Sequence, residues 1–186
     1  MEGNIILGAI IVIVALLAFY VIRTYNKLVK RRNRVNTQWA HIDVQLTRRA
    51  DLIPNLVETV KGYASHEKEI FEKVATARSS LEAAPSPGEA ITANEHLSSH
   101  LSRLFAIAEA YPGLRADSSF ISLQTELKET EDKIAYARQF YNDTVLMYQD
   151  KICQFPSSLV AKMFRFKDKS YYMASEGKTD EARIDF

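Results

Sequence analysis

The segment 5–22, IILGAIIVIVALLAFYVI, constrains the fold more than any other part of the chain. It contains no charged residue, no proline and no strongly polar side chain. A helix of this length extends about 27 Å, which is close to the hydrocarbon thickness of a bilayer. Because a helix that is apolar on every side has no polar face to present to water, we predict a transmembrane helix over 5–22.

Two other interpretations explain this run less well. A cleaved secretory signal has a basic N-terminal region, a shorter apolar core and a small-residue cleavage site. Here the run follows Met1-Glu2-Gly3-Asn4 and ends in Phe19-Tyr20-Val21-Ile22. A buried helix of a soluble protein is seldom apolar over such a length. The run therefore separates a short extracytoplasmic N-terminus, 1–4, from everything that follows residue 22.

Basic residues cluster directly after the run, and none precedes it. Six of them follow without an intervening acidic residue: Arg23, Lys27, Lys30, Arg31, Arg32 and Arg34. The positive-inside rule predicts that this flank is cytoplasmic and that the N-terminus lies outside. Basic side chains here also attract anionic headgroups, so the lipid bilayer is the first expected partner. The net charge of the whole chain is only +1, which argues against nucleic acid as a partner.

The rest of the chain has the pattern of amphipathic helices. Apolar residues recur at steps of three or four through 28–64, 70–81, 91–108 and 120–152, as in a coiled-coil-like seam. Glycine and proline are few, no strand pattern is present, and one cysteine excludes an internal disulfide. We predict an all-α fold, in which the transmembrane helix is followed by a long antiparallel bundle of about four helices. The cytoplasmic bundle covers 23–156, and 157–186 is a C-terminal tail.

Helix breaks leave two topologies open. Either 23–81 is one long helix kinked at Pro54, or it is a hairpin broken near Pro54 or Gly62. Ser65 is a candidate N-cap for the helix that would follow such a break. An up-down four-helix bundle returns the tail to the membrane, whereas one long first helix leaves the tail far from it.

Later breaks are clearer. The sequence APSPG at 84–88 predicts a turn before a third helix that runs from Glu89 to about Tyr111. Pro112-Gly113 ends this helix, and Asp117 or Ser118 is expected to cap the next one.

A search for chemical motifs predicts no catalytic residue, no metal site and no cofactor. His66-Glu67 lacks a second histidine at zincin spacing, and His96 with His100 has no third ligand nearby in the sequence. Cys153 lies near the end of an apolar helix, where packing is the expected role. No glycine-rich phosphate loop is present.

Charges within the helical pattern give the remaining candidates. Pairs that include Arg49 or Glu131 could fix the register between helices, or could simply be solvated. A kink around Pro54 and a turn after Tyr111 are candidate partner surfaces. The same residues are equally well explained if they serve only to form the kink and the turn. The candidate partner surface comprises Arg48, Arg49, Asp51, Asn55, Tyr111 and Arg115.

Motifs along nearly the whole chain resemble the LemA family. They include YNxLV at 25–29, WxxIDVQL at 39–46, RRxDLIPNLV at 48–57, VKGYAxHE at 60–67, EAYPxLRA at 109–116 and RIDF at 183–186. The departures are Arg115, Asp117, Gln149 and a divergent segment over 86–102. They affect the loop before the third helix more than the family assignment.

The resemblance implies a bacterial inner-membrane protein with a cytoplasmic antiparallel helical bundle, and it implies no reaction. The family's frequent genomic association with membrane metalloproteases suggests a membrane protease or another membrane protein as a partner. We expect a non-enzymatic scaffold or adaptor that forms homo-oligomers. The alternatives are a membrane-shaping coat, in which 163–167 touches the bilayer, and an enzyme or metal carrier.

Overall fold

The computed structural model describes residues 2–173, and no strand occurs in this range. The all-α prediction is confirmed. The predicted RIDF motif at 183–186 and the rest of the tail beyond 173 lie outside the described residues, as does Met1. The helices are α1 (Glu2–Lys61), α2 (Lys68–Glu82), α3 (Pro87–Ala108), α4 (Pro112–Arg115), α5 (Ser118–Cys153) and α6 (Ser157–Met163).

Helix α1 continues through Pro54 and ends at Lys61. The chain then closes a turn in which the amides of Tyr63 and Ala64 both donate to the carbonyl of Val60, at 3.1 and 2.9 Å. The break therefore falls at Gly62, and the alternative of one helix reaching residue 81 is wrong. The predicted Ser65 cap is also wrong, because α2 begins at Lys68 and Glu67 occupies the N-cap position without a side-chain bond.

Helices α3 and α5 both begin with a side-chain cap. The hydroxyl of Ser86 accepts from the amide of Glu89 at 3.4 Å and donates to its carboxylate at 2.8 Å, so α3 begins two residues before the predicted Glu89. Asp117 caps α5 as predicted, since its Oδ1 accepts from the amides of Ser119 and Phe120 at 2.8 and 3.0 Å.

The described chain divides into two compact units. One unit contains 2–38 and 140–171, and the other contains 39–139 with 172–173. Helices α1 and α5 each contribute to both. The predicted bundle, 23–156, thus includes parts of both units.

The unit formed by 39–139 contains the second part of α1, then α2, α3, α4 and the first part of α5, and α2 packs along α3. The rings of Phe105 and Phe120 meet edge to face at 6.1 Å across the α3–α5 connection. Burying a Leu or Ile side chain stabilises the folded state by about 1.5–3 kcal/mol. Core side chains of this unit include Ile42, Ile53, Leu56, Val60, Val74, Leu97, Leu104 and Leu114.

The unit formed by 2–38 and 140–171 packs the first part of α1 against the end of α5, α6 and an extended segment, 166–171. Three α5 side chains donate to carbonyls of this extended segment: Tyr148 to Lys167 at 2.9 Å, Gln149 to Lys169 at 2.7 Å and Tyr141 to Ser170 at 2.9 Å. Lys169 in turn donates to Asn36 of α1 at 3.2 Å. The first part of the tail is thereby fastened beside α1.

The apolar run at the start of α1 has no packing partner within the described chain. Among residues 2–173, one helix is long and apolar enough to cross a membrane, and 0% of its most apolar window is buried. Leu28 and Val35, further along the same helix, are buried. Packing on the rest of the unit therefore begins only after the apolar run has ended.

Candidate functional site: a juxtamembrane surface and a buried ionic centre

The six predicted membrane-flanking basic residues lie on α1 directly after the apolar run. Two of them make side-chain contacts with other parts of their unit. The guanidinium of Arg31 donates to the carbonyl of Met147 on α5. The guanidinium of Arg32 lies 5.3 Å from the ring centre of Phe166, a cation–π contact. The other four are exposed: Arg23, Lys27, Lys30 and Arg34.

Tyr25 joins the tail to the end of the apolar run. Its ring centre lies 4.7 Å from that of Phe164 and 5.8 Å from that of Phe166. Tyr25 follows Ile22 by three residues, which is about 4.5 Å along the helix axis. The aromatic part of the tail is therefore at the level where the apolar run ends, which answers the topological question that the sequence left open.

Helix α6 ends in a Schellman motif. The amide of Phe166 donates to the carbonyl of Ala161 at 2.9 Å, and that of Arg165 donates to Lys162 at 3.1 Å. Arg165 has φ 55°, the left-handed conformation in which glycine is usual. A non-glycine residue there costs about 1–2 kcal/mol. The chain thus keeps a charged side chain where glycine would relieve the backbone.

Around this motif, apolar side chains are exposed among basic ones. We call this surface the α6 patch. Phe155 is 81% exposed, and Leu159 and Met163, four residues apart on one helix face, are each 61% exposed. The α6 patch consists of apolar Phe155, Leu159, Met163 and Phe164 with basic Lys162, Arg165 and Lys167.

A buried ionic centre, which we call the Arg49 centre, lies in the other unit. The Nη1 of Arg49 is 2.6 Å from Glu131 of α5 and donates to the amide oxygen of Asn94 on α3 at 2.7 Å. The amide of Asn94 donates to the hydroxyl of Tyr172 at 3.2 Å, and Arg138 lies 5.6 Å from the Tyr172 ring centre. Three helices and the C-terminal segment thus meet at one charge. Arg49 and Glu131, each a candidate for a paired charge, are paired with each other.

Burial dominates the electrostatics of the Arg49 centre. Loss of solvent lowers the pKa of the Arg49 guanidinium, and the charges of Glu131 and Tyr172 oppose that change. Burial likewise raises the pKa of the Tyr172 hydroxyl. An arginine remains charged at any physiological pH, so the centre acts as a fixed cation that needs its carboxylate.

The structure separates the residues of the candidate partner surface. Arg49 is 5% exposed and belongs to the interior, whereas Arg48, Asp51 and Asn55 are exposed on α1. Arg115 is exposed on α4 and Tyr111 is half-buried before it.

Sequence reasoning missed Asn94 and Tyr172. A signal for Asn94 was its place between Ile91 and Leu97 on the inward face of α3.

Pro54 has a structural role that the sequence did not reveal. A proline has no amide hydrogen, so the carbonyl of Ala50, four residues earlier, loses its helix partner. The Nε of Arg78 on α2 donates to that carbonyl at 2.9 Å. Because Ala50 is buried, this bond satisfies an acceptor that water does not reach.

We expect Arg78→Ala to lower the free energy of unfolding by about 1–2 kcal/mol, because it leaves a buried carbonyl unpaired. In a Pro54→Ala background the helix can supply its own amide, so the cost of Arg78→Ala should fall by about 1 kcal/mol. Denaturant unfolding of the four proteins in mild detergent gives this coupling. Lys73→Ala, which breaks an exposed pair on α2, is the control and should change little. A cost of Arg78→Ala that is equal in both backgrounds would contradict the role assigned to Arg78.

The turn after Tyr111 is held by Tyr63. The hydroxyl of Tyr63 donates to Oδ2 of Asp117 at 3.0 Å, and a Cβ added to Gly113 would lie 3.3 Å from the Tyr63 ring. The amide of Phe120 and the hydroxyl of Tyr63 lower the pKa of the Asp117 carboxyl. Tyr63 thus joins the connection between α1 and α2 to α4 and to the start of α5.

This depressed pKa predicts an acid dependence. A carboxyl whose folded pKa lies below the ordinary value of 3.8 stabilises the fold fully above that value. The stabilisation is lost as the pH falls through the folded pKa. Because asparagine caps helices as well as aspartate, we expect Asp117→Asn to keep the neutral-pH melting temperature and to flatten its fall between about pH 5 and 3. Asp51→Asn, at an exposed position, is the control, and parallel curves for wild type and Asp117→Asn would contradict the assignment.

The histidines do not assemble with other ligands. Among residues 2–173, no group of three or more His, Cys, Asp or Glu side chains has the arrangement of a metal site. His96 and His100 line one groove between α2 and α3 together with Glu69 and Lys73. Burial is the main cause that lowers the pKa of His100, and the nearby positive charge of Arg103 lowers it further. Cys153 is exposed at the end of α5, which differs from the packed position expected for it.

These observations define the class of the protein: an all-α membrane-associated protein whose first helix begins with an exposed span-length apolar run. The profile of the LemA family matches residues 38–186, and the chain belongs to the LemA family. The apolar run itself precedes the matched residues.

Curated relatives extend the match towards the N-terminus. The chain is 25% identical to magnetosome protein MamQ 2 of Paramagnetospirillum magneticum, covering 88% of this chain and 70% of the relative. It is 25% identical to magnetosome protein MamQ of Magnetospirillum gryphiswaldense, covering 92% and 73%. It is 24% identical to protein LemA of Metamycoplasma hominis, covering 89% and 76%.

Proposed function

We propose that this protein is a single-pass, non-enzymatic scaffold or adaptor of the bacterial inner membrane, with its N-terminus outside and the chain after the apolar run in the cytoplasm. The exposed apolar run carries the proposal, because it continues without a break into a helix that is packed further along. Such a helix ties folded units to a bilayer without needing a second anchor.

The basic flank supports the orientation. Five of its six side chains are exposed directly after the apolar run, where the positive-inside rule applies most strongly. Tyr20 and Tyr25 lie on either side of the point where the run ends, and each is 37% exposed. Tyrosine is enriched at this level of membrane proteins, where the bilayer meets water.

An exposed apolar groove supports self-association. Val44 is 63% exposed and Tyr136 is 67% exposed, and both line a groove of about 580 Å³ between α1 and α5. The groove walls also carry His41, Glu129 and Lys133, so that opposite charges border its apolar floor. A second copy of the chain can present the same mixed surface in return, as a two-fold interface requires.

The mass of the full-length protein in mild detergent, measured by light scattering, tests this function. We expect the wild type to form a regular multi-subunit particle. Val44→Lys/Tyr136→Lys should reduce its mass, because two buried charges oppose association. Ser99→Lys, at an exposed position on α3, is the control and should leave the mass unchanged. A monodisperse wild-type monomer would contradict self-assembly. Cross-linking in cells would then identify the membrane protease or other membrane protein that the adaptor role requires.

A membrane-shaping coat is the second candidate, supported by the relatives that are named as magnetosome proteins. In this alternative, laterally associated copies bend the bilayer that anchors them. Purified protein reconstituted into liposomes should then change vesicle shape, and the Val44→Lys/Tyr136→Lys variant should not. Unchanged vesicles at high protein density would favour the adaptor.

A further inference from the structure

We propose that the α6 patch forms a second membrane contact of the chain, inserting into the headgroup region of an anionic bilayer beside the transmembrane span. The proposal rests on the proposed membrane anchor and adds a site to it. The patch would take lipids with negatively charged headgroups.

The composition of the patch is that of an interfacial segment. Large apolar side chains reach solvent at Phe155, Leu159 and Met163, where a soluble protein would gain by covering them. Between 151 and 167 the sequence has four basic residues and no acidic one, Lys151, Lys162, Arg165 and Lys167. Interleaved basic and apolar groups suit the boundary between headgroups and acyl chains.

The position of the patch identifies the bilayer as its occupant. The ring of Phe164 packs at a tilt against that of Tyr25, and Tyr25 lies about one helical turn beyond the end of the apolar run. A membrane that contains the run must therefore have its cytoplasmic face close to Phe164. The extended segment after the patch is fastened to α5 by Tyr148 and Gln149, which holds the patch at this level.

The backbone conformation at Arg165 also supports the proposal. Its left-handed conformation would be more favourable with glycine, so the chain carries the arginine side chain at a backbone cost. The guanidinium is exposed, and we find for it neither a carboxylate partner nor a ring contact among residues 2–173. An anionic headgroup supplies the missing partner.

Spin-label accessibility on the full chain in liposomes containing phosphatidylglycerol tests the proposal. A nitroxide is attached at Met163→Cys in a Cys153→Ser background. The ratio of collision with oxygen to collision with a polar nickel chelate reports immersion. Val14→Cys, in the middle of the apolar run, and Ser99→Cys, exposed on α3, are the deep and aqueous references.

We expect the label at residue 163 to show a ratio at least about threefold above that at residue 99 and below that at residue 14. Arg165→Gly keeps the backbone motif and removes one charge, so it should reduce the inserted fraction about fivefold. Lys128→Gln, a charge removed from an exposed position on α5 in the other unit, should have no effect. Replacing phosphatidylglycerol with phosphatidylcholine should reduce insertion in wild type more than in Arg165→Gly.

Each failure has its own signature. An aqueous label at residue 14 overturns the membrane anchor itself. A deep label at residue 14 with an aqueous one at residue 163 overturns only the second contact. Immersion at residue 163 that is the same in both lipids overturns the requirement for anionic headgroups.

Discussion

Glu131→Gln is expected to lower the free energy of unfolding by about 2 kcal/mol. The substitution only replaces one carboxylate oxygen by an amide nitrogen on a half-exposed side chain, but it removes the negative charge. The variant leaves the Arg49 guanidinium buried without a counter-charge. Loss of one partner of a fully buried pair costs about 3–5 kcal/mol. The side chain of Glu131 is 48% exposed, so water partly replaces the lost charge and reduces the cost.

A matched control lies two residues away. Glu129→Gln makes the same chemical change on the same helix, in an exposed pair with Lys133 at 4.0 Å. It should change stability by less than about 0.5 kcal/mol. Denaturant unfolding of both variants in detergent gives the comparison. Equal effects would show that the Arg49 centre contributes no more than a surface pair.

The double variant Arg49→Leu/Glu131→Leu separates stability from specificity. Because well-packed apolar residues often replace a buried ion pair without loss, this variant should be more stable than Glu131→Gln alone. It leaves Asn94 without its arginine donor, and the link from Asn94 to Tyr172 loses its anchor. We therefore expect faster hydrogen exchange around the C-terminal segment even where global stability recovers. Unchanged exchange there would show that Arg49 does not position Tyr172.

The second large effect concerns the apolar run. Ile10→Arg/Val14→Arg places two charges four residues apart on one face near the middle of the span. Each arginine at the centre of a membrane helix costs about 2.5–3.5 kcal/mol on insertion scales, so the pair should abolish integration. The measurement is the fraction of protein that remains in membranes after alkaline carbonate extraction.

Two controls make the result specific. Ile10→Leu/Val14→Leu keeps the apolar character and should remain membrane-integrated. Val44→Arg adds charge at an exposed position of α1 beyond the run and should also remain integrated. Carbonate resistance of the double arginine variant would contradict the transmembrane assignment.

The helices were predictable because their apolar spacing is a local property. Ile42, Leu46, Leu97 and Tyr148 fall on predicted inward faces and are buried. The cap at Asp117 follows from a short-range preference of the same kind. The Ser65 prediction failed because a second turn, in which the amide of Glu67 donates to the carbonyl of Ala64, follows the turn closed by Val60. Ser65 lies inside this second turn and not at a helix start.

The features that required the structure depend on residues far apart in the sequence. Nothing local at Ala50 shows that Arg78 supplies the hydrogen bond that Pro54 removes. Nothing local at Tyr25 shows that Phe164 returns to it. Arg49 and Glu131 could each be named from sequence as candidates for a charge pair. Their pairing with each other and the burial of Arg49 depend on the packing of helices that are 82 residues apart at this point. Sequence patterns specify faces, and tertiary packing decides which faces meet.

The sidedness of the chain is the most direct test of the central claim, that a single apolar helix anchors the rest of the chain, in the cytoplasm, to the inner membrane. Two single-cysteine variants in a Cys153→Ser background, Gly3→Cys and Ser99→Cys, are treated in spheroplasts with a thiol reagent that does not cross membranes. The account predicts that residue 3 reacts in intact spheroplasts and that residue 99 reacts only after permeabilisation. Labelling of residue 99 from outside, with residue 3 protected, would contradict it.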